Sequence, residues 1–587
     1  MSDDIFHRDR LFSEDSLPDA AETVARGREA DVRVGPSAFL ADRGVESEAV
    51  YKRDRAAAGI VTVHSQIGYR DPAKTRLAWR EIWERAGEKG ARVDRYGICL
   101  DWSMGFRRTD RAQARKGTGL ILPNDEAFAE LTALAPVAPH FGDFVLGMPA
   151  AVENTVAALR AGSTAIGNLG QYFTFRLPGH DDDVGDTAAT VEALAMTAAQ
   201  PVDILIHSNL DDGFAALFTD LACSLGAVLL ERYIVEDLLG GAVSHCYGHS
   251  FSEPFKRLAF QLALGRVSRH PGTMVYGNTV SYAGDGPENY AALASYLAVD
   301  IAAQGHAPSG HAINPVPITE AARIPDIDEV VDAALFAARL IERGEDAGDL
   351  YDFAAASRVA DDLIAGAEAF ERRVMAGLAL AGVDTANPFE MLLALRRIGA
   401  KRLEEAFGPG ETDKTAARGR VPVLRASTIV ALETAAGKVV ARADEADRVA
   451  IREAGLTLCV CASDVHEYGK IMLMDVLKRL GVTVIDGGVH AEPGAVALLA
   501  READAVAIST YNGVALDYLR EMRAALGGSE VDVPILVGGR MNQIPDASNS
   551  SLPVDVTAEL RAEGALVCET MDALIPRLVA MIPEREA

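Results

Sequence analysis

The feature that most restricts the fold of this chain is a repeated alternation of short apolar runs and helix-like stretches. Eight apolar runs, each ending in polar residues, occupy 60–64, 96–101, 143–148, 163–168, 202–207, 242–247, 273–278 and 311–314. Strands that alternate with helices form parallel sheets, and eight such units over about 260 residues favour closure into a TIM (β/α)8 barrel. A doubly wound open sheet is the alternative for this half of the chain.

Polar residues stand at the ends of these runs, and a barrel presents the carboxyl ends of its strands at the active-site mouth. We therefore expect a polar pocket lined by His64, Gln66, Asp101, Asn168, His207, Asn209, His245, Tyr247, His249, Tyr276, Asn278 and Asn314. Taken singly, each of them is more typical of a structural hydrogen bond than of catalysis. The group His245, Cys246 and His249 does not indicate a metal site, because residues four apart on a strand lie too far apart to share one ion.

The stretch Asp464-Val465-His466-Glu467-Tyr468-Gly469 lies between an apolar run over 456–462 and a helical pattern over 471–480. This order places an acid, an imidazole and a glycine on a strand-to-helix loop, where a doubly wound sheet binds ligands. An Asp two residues before a His can accept the proton of one ring nitrogen and leave the other as a metal ligand. Gly469 lets the backbone approach a large ligand. By itself, the pattern is also typical of a loop His with a local Asp cap.

Three strands are predicted after this motif, over 482–486, 505–511 and 534–539, the second ending in hydroxyls and the third in a glycine pair. The order D-x-H-x-x-G, S-x-L, G-G resembles the cobalamin-binding domain family, whose fold is doubly wound. The resemblance implies that His466 replaces the cofactor's own benzimidazole on cobalt, and that Ser509, Gly538 and Gly539 line the slot for the displaced nucleotide tail. Tyr511 stands where the family usually has Leu, and by its position in the signature we expect it among the cofactor-binding residues, with Asp464 and Gly469.

Charge and composition exclude several classes of function. The chain has 57 basic and 85 acidic residues and a net charge of −28, which argues against nucleic-acid binding. Every apolar run is too short to span a membrane, and the opening residues do not resemble a signal segment. Six cysteines without a C-x-x-C pair are typical of the reducing cytoplasm. No P-loop, G-x-S-x-G or Gly-rich dinucleotide turn is present, and Lys470 lacks the surroundings of a pyridoxal phosphate lysine.

These patterns predict four regions along the chain. Residues 1–55 form an N-terminal extension, and residues 56–405 form the barrel with a helical C-terminal part. A Gly/Pro-rich turn near residue 408 marks the start of a linker over 406–450, which contains one helix over 426–435. The cobalamin-binding domain covers 451–587.

A large barrel upstream of the motif, with one short helix between them, resembles the adenosylcobalamin-dependent carbon-skeleton mutases. Cobalamin-dependent methyltransferases and sensors usually place a four-helix cap before the motif instead. The barrel is similar to those of glutamate mutase and methyleneglutarate mutase over about 38–340, most specifically in 55–66, 100–108 and 314–321. The resemblance implies adenosylcobalamin as cofactor, a radical rearrangement of a small carboxylic acid, and a homo-oligomer, which we expect to be a dimer. A closed barrel would keep the radical from water.

Substrate carboxylates need fixed bidentate donors, which Arg provides better than Lys. Arg107 or Arg108 matches the position of one carboxylate-binding Arg of glutamate mutase. Arg70 lies near a second such position. Each would otherwise be an ordinary solvated Arg.

The chain also departs from glutamate mutase at three places. The third substrate Arg is missing around residues 147–149, and the Glu that handles the substrate amine is absent, with Asn168 or Gln171 nearby. The Lys that seats the adenosyl group is replaced near Asn314. These departures imply a substrate other than glutamate, such as a small carboxylate that lacks an amino group or is differently substituted. They leave open a cobalamin-binding sensor or carrier with an inactive barrel, and a corrinoid-dependent methyltransferase.

Overall fold

The structure, a computed structural model, describes residues 6–12, 17–114, 116–177, 179–211, 218–251, 253–277, 279, 282, 286–320, 323–416, 418–464, 466–511, 513–544 and 553–582. The chain divides into two compact units. The first comprises Met1–Thr174, Asp181–Asp212 and Leu217–Thr428, and the second comprises Ile429–Ala587 with Phe175–His180 and Gly213–Ala216. Both units are mixed α/β structures built on parallel sheets. The predicted regions 1–55, 56–405, 406–450 and 451–587 stay predictions.

Eight short strands form the centre of the first unit. They are β1 (His64–Ile67), β2 (Arg95–Ile98), β3 (Ala138–Phe141), β4 (Ala165–Ile166), β5 (Leu205–Asn209), β6 (Ala242–Cys246), β7 (Met274–Val275) and β8 (Ala312–Ile313). Strands β1 to β6 form one parallel sheet in sequence order, and β7 pairs in parallel with β8. An isolated parallel bridge joins Val63, just before β1, to Ile313 in β8.

Helices precede and separate these strands. Before β1 lie α1 (Arg8–Leu11), α2 (Ala20–Glu29), α3 (Ala38–Arg43) and α4 (Glu48–Ala57). Between the strands lie α5 (Pro72–Glu88), α6 (Asp125–Thr132), α7 (Ala151–Arg160), α8 (Gln171–Thr174), α9 (Asp183–Ala198), α10 (Leu221–Arg232), α11 (Pro254–Val267) and α12 (Gly286–His306). After β8 come α13 (Ile327–Ala347), α14 (Phe353–Leu380) and α15 (Pro388–Phe407), which is interrupted at Gly399.

Seven of the eight predicted strands overlap observed ones, whereas the strand predicted over 143–148 is wrong. The third strand, β3, lies earlier in the chain and contains Pro139. A proline lacks the N–H that a central strand donates, so the run around it did not look like a strand. His64, predicted at the end of the first strand, instead begins β1.

The amino ends of the strands are covered by α4, which contributes two buried charged side chains. Glu48 Oε1 accepts a hydrogen bond of 2.7 Å from Nε of Arg95, the first residue of β2. Lys52 Nζ donates to the carbonyl oxygens of Thr273 (2.7 Å) and Gly310 (2.9 Å), which precede β7 and β8. Burial lowers the pKa of Lys52 to about 8. Since α4 occupies this edge, the carboxyl edge of the sheet is the one available to ligands.

The second unit contains a five-stranded parallel sheet in the order β10-β9-β11-β12-β15. Its strands are β9 (Thr457–Ala462), β10 (Thr483–Gly488), β11 (Ala505–Thr510), β12 (Ile535–Gly539) and β15 (Leu566–Cys568). A small antiparallel pair, β13 (Asn542–Gln543) and β14 (Val554–Asp555), lies between β12 and β15 in sequence. All four strands predicted for this region are confirmed.

Helices cover both faces of this sheet, so it is doubly wound. They are α16 (Ser427–Arg442), α17 (Glu445–Ala454), α18 (Tyr468–Arg479), α19 (Pro493–Leu499), α20 (Ala515–Gly528), α21 (Thr557–Ala562) and α22 (Leu574–Met581). One apolar core packs α19, α20 and α21 on the sheet, and the other packs α16, α17, α18 and α22. The helix predicted over 426–435 is therefore longer than expected, and α17 was missed because it is short and highly charged. In the part of the chain that the structure describes, no helix has the length and apolar character needed to cross a membrane.

We expect Glu48→Ala to destabilise the first unit by roughly 3–5 kcal/mol, because it leaves the buried Arg95 guanidinium without its carboxylate. All three tryptophans, Trp79, Trp83 and Trp102, belong to this unit, so tryptophan fluorescence during denaturant unfolding reports on it alone.

The matched control is Arg53→Ala on the same helix. Arg53 pairs with Asp203, and their side chains are 49% and 44% exposed, so its loss should change the free energy of unfolding by about 1 kcal/mol or less. Equal effects of the two substitutions would show that the Glu48–Arg95 pair has no special importance.

Candidate functional site

The strand order of the second unit creates a topological switch point between β9 and β11. From β9 the chain passes to β10 on one side and then returns to β11 on the other. Ligands of open parallel sheets bind outside the carboxyl ends of the strands at such a point. The loop after β9 carries Asp464, His466 and Gly469, the residues that the sequence analysis singled out.

Sheet register brings the three parts of the sequence signature together. Ser509 on β11 is paired with Ala462 on β9 and with Gly538 on β12. The Ser463 amide also donates to the Ser509 carbonyl oxygen (2.9 Å). Residues separated by as much as 76 positions in the sequence therefore end side by side at one edge of the sheet.

Asp464 is buried, and four donors among the described residues form hydrogen bonds to its carboxylate. Its Oδ1 accepts from the backbone N–H of His466 (3.0 Å) and from Nδ1 of the same residue (2.6 Å). Its Oδ2 accepts from the backbone N–H of Tyr511 (2.7 Å) and from the Ser463 hydroxyl (3.2 Å). One carboxylate thus fixes the motif loop, the imidazole and the loop after β11.

The hydrogen bond from His466 Nδ1 also determines which ring nitrogen can bind a metal. Burial acts to raise the pKa of Asp464, but the hydrogen bond from His466, the attraction between the two side chains and the backbone donors lower it overall. An ionised Asp464 accepts the Nδ1 proton, so the lone pair of the neutral imidazole is on Nε2. The His466 side chain is 22% exposed. This arrangement fits a histidine that ligates one metal ion held by a cofactor.

Two glycines of the signature are required by close contacts. A Cβ at Gly469 would lie 2.6 Å from the Ser509 hydroxyl oxygen, so the motif loop packs directly on β11. Gly539 has φ of +104°, and a Cβ there would lie 2.2 Å from the Thr510 carbonyl oxygen. Both glycines are exposed, and they present bare backbone to a ligand.

Besides Tyr511, which the sequence analysis includes among the cofactor-binding residues, the structure adds Arg540, Lys470 and His490, which were not assigned to this site. The Tyr511 ring lies 4.3 Å from the His466 ring, and the Arg540 guanidinium lies 4.2 Å from the centre of the Tyr511 ring. Lys470 is buried, and its Nζ donates to Asp486 Oδ1 (2.6 Å). His490 donates its backbone N–H to the Asp464 carbonyl oxygen (3.1 Å). No local pattern marks these residues, because the pairing of strands brings them together.

In the first unit, some of the polar residues predicted to line the mouth lie near the carboxyl ends of the strands, and others point elsewhere. His245 Nε2 bonds to Glu231 (2.8 Å) and the Tyr247 hydroxyl donates to the Ser224 carbonyl oxygen (2.9 Å), so both point to α10 rather than into a pocket. The reason is that alternate side chains of a strand face opposite sides. His64 lies at the amino edge, against Arg95. These three assignments to the mouth are wrong, and Asn278 lies outside the described residues.

Other residues of this predicted set lie near the carboxyl ends of the strands. The Tyr276 hydroxyl donates to Gln66 Oε1 (2.9 Å), and the His249 ring lies 4.2 Å from the Tyr276 ring. Asn168 Oδ1 accepts from the Asn209 amide (2.8 Å), which ties the ends of β4 and β5 together.

Asp101 has a structural task in the same region. It is buried and caps the turn that follows it by accepting from the amides of Ser103 (2.9 Å) and Gly117 (2.7 Å).

The arginines predicted to bind a substrate carboxylate differ in their surroundings. Arg107 and Arg108 are both exposed, and Arg108 forms an ion pair with Asp125. Asp125 also pairs with Arg160 (3.0 Å). Arg70 is half-buried just after β1, and it makes no ion pair or hydrogen bond to any of the residues that the structure describes. Of the two that carry no ion pair among the described residues, Arg70 and Arg107, Arg70 is the more buried and its guanidinium would bind a carboxylate in a less solvated place. The roles of all three arginines stay predictions.

Asp143 is a carboxyl group at the carboxyl edge of the same sheet that the sequence analysis overlooked, because it was placed inside a predicted strand. It follows β3, is half-buried and lies 3.5 Å from Gln171 Nε2. Burial raises its pKa to about 6. Burial raises the pKa of the Cys99 thiol, and the negative charge of Asp143 raises it further. The carbonyl oxygen of Cys99 would lie 2.5 Å from a Cβ placed on Gly68, so the ends of β1 and β2 are in close contact. Arg70 and Asp143 therefore follow the carboxyl ends of two strands of one sheet, β1 and β3.

No cluster of three or more His, Cys, Asp or Glu residues that could hold a metal ion occurs among the described residues. No family model matches the chain, and no curated protein matches it either.

The solved structures that are similar to it include a cobalamin-binding protein and a UMP synthase. A cobalamin-binding protein from Desulfitobacterium hafniense matches 26% of this chain and 71% of its own, with 21% identity and a TM-score of 0.20. UMP synthase from Leishmania donovani matches 92% of this chain and 96% of its own, with 12% identity and a TM-score of 0.29. Both TM-scores are too low to carry an argument, so the functional conclusions rest on the geometry of the site.

We expect Gly539→Ala to destabilise the second unit by about 1–3 kcal/mol or more, because alanine is strained at this φ and would contact the Thr510 backbone. Thermal unfolding followed by circular dichroism measures this loss. The control is Gly527→Ala in α20, where a Cβ would meet no atom within 4 Å. A Gly539→Ala protein as stable as the Gly527→Ala protein would contradict the contact with Thr510.

Proposed function

We propose that this chain is an adenosylcobalamin-dependent radical isomerase that rearranges a small carboxylic acid. The observation that carries the proposal is the Asp464–His466 hydrogen bond at the switch point of a doubly wound sheet, in register with Ser509 and Gly538. The three parts of the family signature are far apart in the sequence, and strand pairing brings them side by side at one edge of the sheet. A homodimer stays a prediction.

The proposal includes closure of the first unit into a TIM barrel. The Ile313 amide of β8 donates to the Thr62 carbonyl oxygen (2.9 Å), just before β1. The Tyr276 amide after β7 donates to the Tyr247 carbonyl oxygen (3.0 Å) after β6. These two contacts support a ring in which β7 and β8 complete the six-stranded sheet. A ring of this kind encloses a site that excludes water.

The residues of the second unit fit the cofactor. His466 would ligate cobalt through Nε2, with Asp464 holding the ring in the required tautomer and orientation. Ser509, Gly538 and Gly539 would line the slot for the nucleotide tail, since Gly469 and Gly539 keep that edge free of side chains. When bound, adenosylcobalamin supplies a carbon radical by homolysis of its cobalt–carbon bond.

On the substrate side, Arg70 would hold a carboxylate through charge-assisted hydrogen bonds. Asp143, which follows β3, would form a hydrogen bond with a hydroxyl or another polar group of the substrate. This pair favours a small acid with one further polar substituent. Fixing such a substrate at two points orients the carbon from which hydrogen is removed.

A second reading is a cobalamin-binding carrier or sensor without catalysis. The observation that favours it is the ion pair of Arg108 with Asp125, which occupies an arginine expected to bind substrate. The two functions differ in a single measurement. An isomerase gives a substrate-dependent paramagnetic signal with adenosylcobalamin, whereas a carrier or sensor binds the cofactor and gives none.

Asp464→Asn should weaken cobalamin binding by about 10–100-fold, the range found when the hydrogen-bond partner of a metal ligand is lost. His466→Ala should abolish the state in which histidine replaces the benzimidazole, as seen in the visible and electron paramagnetic resonance spectra. Asp475→Asn is the control, because Asp475 makes a comparable ion pair with Arg479 (2.9 Å) on the exposed surface of α18. Benzimidazole still bound to cobalt in the wild-type protein would refute the cobalamin site.

Arg70→Ala should weaken the apparent affinity for the substrate by roughly 30-fold or more, since a buried carboxylate would lose its charged partner, at a cost of about 2 kcal/mol or more. The measurement is the substrate-dependent paramagnetic signal with adenosylcobalamin, over a panel of small mono- and dicarboxylic acids. Cobalamin affinity is determined on the same samples and should not change.

Arg107→Ala and Arg108→Ala belong in the same series, because sequence similarity assigns the carboxylate to one of them. The surroundings of the three arginines predict a larger effect for Arg70 than for Arg107 or Arg108. Full retention of the signal in all three variants would refute an arginine-bound substrate in this mouth.

A further inference from the structure

Arg540 occupies a fixed position beside the proposed cobalt ligand. It follows Gly539 directly. Its backbone N–H donates to the carbonyl oxygen of Thr510 in β11 (2.8 Å), and this hydrogen bond fixes the position of the Arg540 backbone. Its guanidinium lies 4.2 Å from the centre of the Tyr511 ring, and that ring lies 4.3 Å from the ring of His466. A single aromatic ring therefore separates a cation from the imidazole.

The guanidinium of Arg540 has no acidic partner among the described residues. Other arginines of this unit do, including Arg442 with Asp572 (2.7 Å) and Arg520 with Glu563 (2.9 Å). The described arginines of the unit that lack a carboxylate are otherwise exposed, whereas Arg540 is half-buried. A partly desolvated guanidinium at the ligand-binding edge of a sheet is suited to bind an anion that arrives with the ligand.

The chemistry of the proposed ligand identifies that anion. The peripheral side chains of the corrin ring in cobalamin are amides, and the phosphodiester of the nucleotide tail is its one anionic group. We propose that Arg540 binds this phosphodiester and that Tyr511 positions the guanidinium through their cation–π contact. The inference rests on the proposed function.

The same arrangement explains why Tyr511 stands where the signature usually has leucine. A leucine side chain has no π-face on which a guanidinium can stack, so it would leave Arg540 without its support in this protein. Tyr511 is fixed in turn, because its backbone N–H donates to Asp464 (2.7 Å). The phosphate-binding residue and the cobalt ligand are thus both positioned from one carboxylate.

The test compares corrinoids that differ in the nucleotide tail, and visible spectroscopy titrates each one against the full-length protein. The probes are hydroxocobalamin, cobinamide, which lacks the tail and its phosphate, and cobinamide phosphate. Arg540→Ala should weaken binding of hydroxocobalamin and cobinamide phosphate by about tenfold, the size of one charge-assisted hydrogen bond at a partly exposed site, and leave cobinamide binding unchanged.

Three further variants separate recognition from folding. Arg540→Lys keeps the charge but loses the bidentate fork, so its effect should be intermediate. Tyr511→Leu should cause a smaller loss confined to the same two ligands. Arg520→Ala, which removes an exposed ion pair, should bind all three corrinoids as the wild type does.

Equal weakening of all three corrinoids by Arg540→Ala, or no weakening of any, would overturn the assignment of the phosphodiester while leaving the cobalamin site intact. A wild-type protein that binds neither hydroxocobalamin nor cobinamide would overturn the proposed function itself.

Discussion

The carboxylate of Asp464 is the interaction on which the candidate site depends. It is buried, and it is the shared acceptor for the His466 ring, the His466 amide and the Tyr511 amide. A buried carboxylate must be satisfied by donors, so its presence forces the loops after β9 and β11 to meet. The orientation of His466, the stacking of Tyr511 and the placement of Arg540 all follow from that one requirement.

The first unit distributes its charges differently between its two edges. At the amino edge, Glu48 pairs with Arg95 and with Lys52, and Lys52 also donates to two backbone carbonyl oxygens. At the carboxyl edge, Arg70 lacks a partner among the described residues, and Asp143 has a raised pKa. Removing one partner of a buried pair destabilises the fold, whereas a charge left for a ligand costs stability but gives specificity.

Local patterns in the sequence were sufficient to predict the order of strands and helices and the motif around His466, because apolar periodicity and loop position are local properties. They were not sufficient for β3, whose Pro139 obscures the strand, or for β1, which begins at His64, four residues later than the apolar run over 60–64 suggested. The contact of Arg540 with Tyr511 depends on the pairing of Thr510 with Gly539 across two strands. Strand register depends on the packing of the whole sheet, so local patterns in a single sequence do not predict it.

The two backbone acceptors of Lys52 also determine when the first unit can be completed on the ribosome. The side chain belongs to an early helix, yet Thr273 and Gly310 follow it by 221 and 258 residues. At roughly 5–20 residues per second, synthesis of that interval takes about 13 seconds or longer. Until then, Lys52 cannot reach its final acceptors, whereas Glu48 can already pair with Arg95, which follows it by only 47 residues. The amino edge of the first unit is therefore completed in two stages, and the second waits for most of the unit to be synthesised.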